Sequence, residues 1–422
     1  MSKTFTTYNL GCKVNAYELS AISSLLLAKG YVEDSSNPDV VIINTCSVTA
    51  TADQKSRQHI RKMQKMFPNA VIAVMGCYAQ GNYEFIRDEI KPTILLGTSH
   101  RRDVVDLIEK ALNNKEAFTN VDENTRGFKY EELGITSYSE NVRAFLKIQD
   151  GCNNFCTYCI VPYRRGKMRS RSKENVIKEA KYLVGQGYQE IVLSGIHVGG
   201  YGQDLKDCSF SSLVEELSNI PNLKSLRISS IEESEIDDKL ISLITERDNL
   251  AKHLHIPLQS GSNHVLKLMN RKYTREQFIE RVKKIKSMMP DVMISGDVIV
   301  GFPQESEEDF LDTYKLCEEC FDMLHVFPYS IRPGTVAARM EGQISPDCKK
   351  KRSNVLLDLS SKLYEKFANR FIGQEVTVLI EKYDEQKGVN IGHTSNYLSV
   401  EIPIKESKVG QYITVKLQKD MI

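Results

Sequence analysis

The sequence predicts an α/β protein of three parts: an N-terminal open parallel α/β sheet domain, a central incomplete (β/α)6 barrel, and a C-terminal small β-barrel. Three observations predict it. Short apolar runs alternate with amphipathic stretches through the first 114 residues. A second alternating series starts near residue 143, and the tail turns strand-rich and punctuated by turn residues. The expected boundaries are 1–114, a linker at 115–137, 138–370 and 371–422.

In the first part the strand candidates are "KTFTTYNLG", "DVVIINT", "AVIAVMG" and "TILLG". Helical patterns lie between them, such as "AYELSAISSLLLAKG", whose closing Gly30 suits a C-cap. The stretch "NNKEAFTNVDENTRGFKYEELGITSYSENVR" is polar and aperiodic and reads as the linker. The second part offers "AFLKI", "EIVLSG", "SLRISS", "HLHIPL", "MISGDVIVG" and "LHVFPYS", separated by helical patterns such as "TREQFIERVKKIKSMM". Six β-α repeats without a seventh or eighth predict a barrel that does not close. In the tail, "EVTVLIEKYDEQ", "GVNIGHTSNYLSVEIPI" and "QYITVKLQ" read as strands.

Composition sets bounds on function. The chain has 422 residues, 41% hydrophobic and 26% charged, the make-up of a globular protein with room for several cores. A formal charge of +1 excludes recognition by bulk charge, so a nucleic-acid surface would have to be a local patch. No run of 18 apolar residues occurs and "MSKTFTTYNLGCK" lacks the apolar core of a signal peptide, which points to the cytoplasm and away from membranes. Ten cysteines in such a chain read as metal or redox chemistry rather than disulfides.

The densest signal is "GCNNFCTYCIVPYRRG", which places Cys152, Cys156 and Cys159 within eight positions. Thiolates bind iron–sulfur clusters; four would fill every iron of a 4Fe–4S cube, and three leave one iron open to a substrate or cofactor. Structural zinc needs four ligands, and the next histidine is His197. A second triplet is dispersed. Cys12, Cys46 and Cys77 each follow the carboxyl end of a strand candidate, at separations of 34 and 31 residues that fit successive βα units. In a parallel sheet those ends share one edge, where ligands bind. Three thiols there would again leave an iron free, able to carry an extra sulfur.

C-x3-C-x2-C directly after a first barrel strand resembles the radical S-adenosylmethionine (SAM) superfamily. The resemblance implies that the open iron chelates SAM and that electron transfer cleaves it to a 5′-deoxyadenosyl radical. With "LGCKVNAYE", "NTCSVTATADQKSR", "GCYAQ", "ISSIE", "PLQSGSN", "DVIVGFPQESEEDF" and "YSIRPGTVAA", essentially the whole chain resembles the methylthiotransferases. That family has an N-terminal cluster domain, a radical SAM core and a C-terminal TRAM module, in which "GHTSNY" would lie. "LGCKVNAYE" and "SGIHVGGYG" resemble the branch acting on N6-threonylcarbamoyladenosine in tRNA. The isopentenyladenosine branch reads Gln-Met-Asn after its first cysteine and the ribosomal-protein branch Pro-Lys-Asn; Lys13-Val14-Asn15 fits neither.

The resemblance implies two 4Fe–4S clusters and SAM as cofactors, with tRNA as substrate and a flavodoxin- or ferredoxin-type electron donor. The chain is expected to act as a monomer. It would replace the C2 hydrogen of the modified adenosine beside the anticodon with a methylthio group. Tyr158 matches the aromatic position flanking the adenine of SAM. Ser194 and Gly195 would lie by the SAM amino group, Ser229 and Glu232 on the ribose side, and Gln259 and Asp297 in the pocket. Beside the triplet, Arg164, Arg165, Lys167, Arg169 and Arg171 occur with no acid among residues 164–173, a candidate phosphate-contact patch. Residues 372–422 hold six lysines and seven acids, so RNA binding there would rest on shape. Cys208, Cys317, Cys320 and Cys348 read as structural, and His197, His255 and His325 as interior packing. The rival readings are a ribosomal-protein or isopentenyladenosine methylthiotransferase, and a non-catalytic metal-dependent RNA-binding protein.

Overall fold

The computed structural model describes residues 2–134 and 142–422. Its first sheet is parallel and six-stranded: β1 (Thr4–Asn9), β2 (Val32–Glu33), β3 (Val40–Thr45), β4 (Val71–Gly76), β5 (Ile94–Leu96) and β6 (Phe118–Asn120), in the order β2-β1-β3-β4-β5-β6. All residues of β3 and β4 are buried, as unbroken apolar runs require when helices cover both faces. Successive side chains divide between those faces. Val40 and Ile42 pack with Ile22 and Leu26 of helix Lys13–Ala28, and Val41 and Ile43 with Ile60 and Met63 of helix Ala50–Met66.

The second part runs β7 (Arg143–Lys147), β8 (Gln149–Asp150), β9 (Arg169–Ser170), β10 (Glu190–Ser194), β11 (Ser225–Ile228), β12 (His253–His255), β13 (Met293–Val300) and β14 (Met323–Pro328). β7, β10 and β11 pair in parallel, as do β12, β13 and β14. Ala251 N donates to Leu226 O at 3.0 Å and Ile231 N to His255 O at 3.0 Å, so the two trios adjoin and six strands follow one another in chain order. β8 and β9 form a small antiparallel ribbon beside the barrel.

The barrel stays open between β7 and β14, and helix Lys13–Ala28 covers the β7 edge. Its Tyr17 and Ala21 belong to the barrel core, with Ala144 and Leu146 of β7, while its Leu19, Ile22 and Leu26 belong to the core of the first sheet. One helix with two apolar faces therefore welds the first two parts together. In the third, β15 (Glu375–Asp384), β16 (Val389–Thr394), β17 (Ser399–Ile402) and β18 (Tyr412–Lys416) form an antiparallel sheet in the order β17-β16-β15-β18. It docks at the amino ends of the barrel strands: Arg143 and Arg227 reach Glu381 and the Thr394 and Ser395 carbonyls.

Every strand expected from the sequence forms. The linker differs: residues 118–120 are β6, paired in parallel with β5. Three residues are too short to show periodicity, and only the neighbouring strand makes them a strand. Beyond β6 the stretch supplies Tyr130, Glu131 and Glu132, which contact Lys147, Arg101 and Arg171. The expected junction at 137–138 lies outside the described residues.

Candidate functional site

The ribbon β8–β9 presents the Cys152–Cys159 loop above the carboxyl ends of the barrel strands. The loop turns at Gly151 (φ +70°) and is held by Cys152 N to Gly166 O (3.2 Å), Cys159 N to Cys156 O (2.9 Å) and Thr157 N to Met269 O (3.0 Å). All three thiols are free and partly buried. Burial pushes the Cys159 thiol up to about 12. Two cationic side chains flank the others. Arg271 Nη1 stands 3.5 Å from Cys156 Sγ and ion-pairs Glu232. His197 pairs with Glu235 at 2.6 Å; burial opposes its charge, but hydrogen bonds with Cys152 and Glu235 lift it to about 10.

The dispersed triplet gathers at the first sheet. β1, β3 and β4 are neighbours in a register that sets Asn9 against Asn44 and Thr45 against Gly76, so the residues that follow stand level. Cys12 is the N-cap of helix Lys13–Ala28, Cys46 follows β3, and Cys77 opens a short helix after β4. Asn15 holds the group: its Nδ2 donates to Asn44 Oδ1 (2.9 Å) and Thr45 O (3.1 Å), and its Oδ1 lies 3.5 Å from Cys12 Sγ. Burial pushes the Cys77 thiol up to about 11, Arg165 pulling the other way and Cys12 and Cys46 adding to the rise. Among the described residues no three His, Cys, Asp or Glu side chains converge on a single metal ion. A 4Fe–4S cube makes a different demand, since it spreads its thiolates over separate irons.

Arg165 connects the two triplets. It lies six residues beyond Cys159, at the end of helix Val161–Arg165, and its Nε donates to Cys77 Sγ at 3.2 Å. The same guanidinium reaches Glu18 (2.8 Å), Asp150 (3.2 Å) and Asn15 (3.0 Å). Arg101 and Lys147 also pair with Glu18 at 2.7 and 2.8 Å, Arg169 pairs with Asp150 at 3.1 Å, and Arg101 with Glu131. Burial opposes ionisation of Glu18, yet Arg101, Arg165 and Lys147 hold its carboxyl far below the usual range. Four cations here face three carboxylates, and the Cys77 sulfur lies within reach of Arg165.

A cavity of about 620 Å³ fills the barrel lumen. Cys12, Lys13 and Val14 line it together with Ser194, Gly195, Ser229 and His255. Ser194 Oγ is buried and has no hydrogen-bond partner among the described residues, so it can serve a bound molecule. The other SAM candidates lie outside that lining. Glu232 is held by Arg271 beside Cys156. Gln259 adopts φ +65° and bridges to β13 through its backbone, and Asp297 pairs with His255 at 3.2 Å. Tyr158 packs edge-on against Phe302.

The phosphate-contact patch is corrected. Arg165, Arg169 and Arg171 are 0%, 7% and 3% exposed and serve Glu18, Asp150, Glu132 and Glu179; a guanidinium enclosed by carboxylates has no face for a phosphate. Arg164 is half-buried against Gly81, and Lys167 alone of the five is exposed. The histidines are corrected too: His197 and His255 stand against the carboxylates of Glu235 and Asp297, and His255 and His325 face the cavity. Sequence reasoning also passed over Arg271 and Arg332. Arg332, in "YSIRPGTVAA", donates to Ser47 O at 2.7 Å and Ser47 Oγ at 2.8 Å, next to Cys46. Its motif pointed to it; its partners, 285 residues away, did not.

Residues 146–317 match the Radical SAM superfamily model, residues 4–97 the model described as Uncharacterized protein family UPF0004, and residues 369–421 the TRAM domain. The chain is 44% identical to the threonylcarbamoyladenosine tRNA methylthiotransferase MtaB of Bacillus subtilis, over 99% of this chain and 94% of that one. It is 37% identical to the protein of the same name from Aquifex aeolicus, over 88% and 91%. It is 35% identical to the tRNA-2-methylthio-N(6)-dimethylallyladenosine synthase of Acetivibrio thermocellus, over 98% and 88%. The radical SAM methyltransferase TsrM of Kitasatospora setae shares the fold at a TM-score of 0.61 and 13% identity, over 80% of this chain and 75% of that one. Full-length identity at this level and three domain matches in order make the chain a member of the radical SAM methylthiotransferase family.

Proposed function

We propose that this protein replaces the C2 hydrogen of N6-threonylcarbamoyladenosine, beside the anticodon of tRNA, with a methylthio group. The observation that carries the reading is the shared cavity: Cys12 of one triplet lines it together with Ser194, Gly195 and Ser229. A base seated there meets Cys12 of the N-terminal triplet on one side and the SAM-side groups on the other. The 44% identity to the threonylcarbamoyladenosine enzyme of Bacillus subtilis, against 35–37% to the dimethylallyladenosine synthases, supports the choice of nucleoside.

Cys152, Cys156 and Cys159 would hold the 4Fe–4S cluster that radical SAM membership implies, and Cys12, Cys46 and Cys77 a second one. Both sets fit such a group: the thiols are free, they converge, and a guanidinium is aimed at a sulfur of each. When bound, these groups and SAM supply the one-electron chemistry and the sulfur that no side chain offers. The chain's own residues bind and orient. Ser194, Gly195 and Ser229 receive the polar parts of SAM, with Glu232 on the ribose side, and Tyr158 flanks its adenine. Gln259, past the end of β12, and Asp297, within β13, stand outside the lining of the cavity. Arg165 and Arg271 balance thiolate charge on their respective triplets. Phe145, Val192 and Ile228 give the lumen an apolar wall that keeps water from the base. The enzyme would act as a cytoplasmic monomer supplied with electrons by a flavodoxin or ferredoxin.

The test is anaerobic reconstitution followed by incubation with SAM, reductant and tRNA carrying N6-threonylcarbamoyladenosine, with mass spectrometry of the digested nucleosides. A methylthio product that disappears in both Cys12→Ala and Cys156→Ala is expected. 5′-Deoxyadenosine without a modified nucleoside would reject this substrate.

A further inference from the structure

We propose that Lys13 selects the substrate by receiving, on its ammonium group, the carboxylate that ends the threonylcarbamoyl side chain. The inference rests on the function proposed above and extends it to how one modified adenosine is distinguished from another.

Lys13 directly follows Cys12 and opens helix Lys13–Ala28; its exposed surface faces the lumen cavity. No carboxylate lines that cavity; Lys13, Arg143 and Arg227 are its lysine and arginine residues, and His253, His255 and His325 line it as well. The two arginines are already matched. Arg143 pairs with Glu190 at 2.6 Å and with Glu381, and Arg227 shares Glu190 at 3.2 Å. Two guanidiniums thus stand against two carboxylates. Among the described residues no carboxylate lies within ion-pair distance of Lys13, which leaves one positive charge in a partly apolar enclosure. An ammonium without an acidic partner on the cavity wall is placed to receive an arriving anion.

The two modified nucleosides that relatives act on by name differ in this respect. A dimethylallyl group is a neutral hydrocarbon and would leave the cation unpaired. A threonylcarbamoyl group ends in a single carboxylate, which matches the single unbalanced charge. Because Lys13 is bonded to Cys12, an anion held at its side chain fixes the base against the N-terminal thiols.

The probe is a synthetic anticodon stem-loop RNA carrying N6-threonylcarbamoyladenosine, compared with the same RNA bearing its neutral methyl ester. Binding to the reconstituted full-length protein is read by fluorescence anisotropy. Wild type is expected to bind the acid about tenfold more tightly than the ester, the scale of one charge-assisted hydrogen bond. Lys13→Met should abolish that ratio by weakening only the acid, and Lys13→Arg should keep most of it. Equal binding of acid and ester by a wild type that still makes the methylthio product overturns the inference alone. So does a Lys13→Met protein that keeps the ratio. A wild type that neither prefers the modified RNA to the unmodified one nor forms product overturns the substrate reading, and the inference falls with it.

Discussion

Arg165 Nε lies 3.2 Å from Cys77 Sγ while its Nη1 lies 2.8 Å from Glu18 Oε1, so one side chain from the barrel touches both a thiol and a carboxylate of the N-terminal part. The joint between the two parts is ionic and buried, which governs how it fails. Removing one member of such a group leaves its partners charged and dry, at a cost of about 3–5 kcal/mol. Arg165→Gln is therefore expected to lower stability by that order in chemical denaturation. Arg165→Lys should lose part of it, since an ammonium cannot reproduce the planar fork. An unchanged midpoint in Arg165→Gln would refute the network.

Arg332 ties the far end of the barrel to the Cys46 loop, through Ser47 and through Asp53 at 3.0 Å. Arg332→Ala removes hydrogen bonds worth about 1.5–3 kcal/mol each when charge-assisted. The N-terminal site should then lose iron faster in air, while SAM cleavage at the Cys152–Cys159 site persists. Iron analysis and 5′-deoxyadenosine assay on the same sample check this; equal loss from both sites would contradict it.

Gly76 adopts φ +101°, and a Cβ there would sit 2.5 Å from Thr45 O and closer still to Asn44 Oδ1. Gly76→Ala is expected to cost about 1–3 kcal/mol in backbone strain alone. It should also displace Cys77, the next residue. Lower thermal stability is the expected result, and if each triplet holds a cluster as proposed, about half the iron of wild type, because only the N-terminal triplet is disturbed.

Asp309 governs an acid-sensitive joint. Burial opposes its charge, but hydrogen bonds from Ser262, the Ser306 backbone and hydroxyl, and His264 hold its carboxyl down at about 2. A depressed carboxyl contributes stability above its unfolded value of about 4 and loses it as pH falls towards 2. The stability advantage of wild type over Asp309→Asn should therefore be constant from neutral pH to about pH 5 and shrink below pH 4. A gap that persists to pH 2 would show that the hydrogen bonds do not depend on ionisation.

What the sequence by itself determined is what short-range pattern encodes. β3 and β4 were legible because β-branched runs buried on both faces look alike wherever they occur. The placement of Cys12, Cys46 and Cys77 after neighbouring strands was legible too, because the spacing of successive βα units is enough to predict it. β6 was not legible, since three residues carry no period. The tertiary structure alone decided which charges are buried. "RRGKMRSR" reads as a solvated basic run, yet Arg165 meets Glu18 across 147 residues and Arg171 meets Glu132 across 39. It also decided that Lys13 faces a lumen closed by a sheet nearly four hundred residues downstream. Whether a charge faces water or a carboxylate depends on partners that folding brings from elsewhere in the chain, and a local window of sequence holds no record of them.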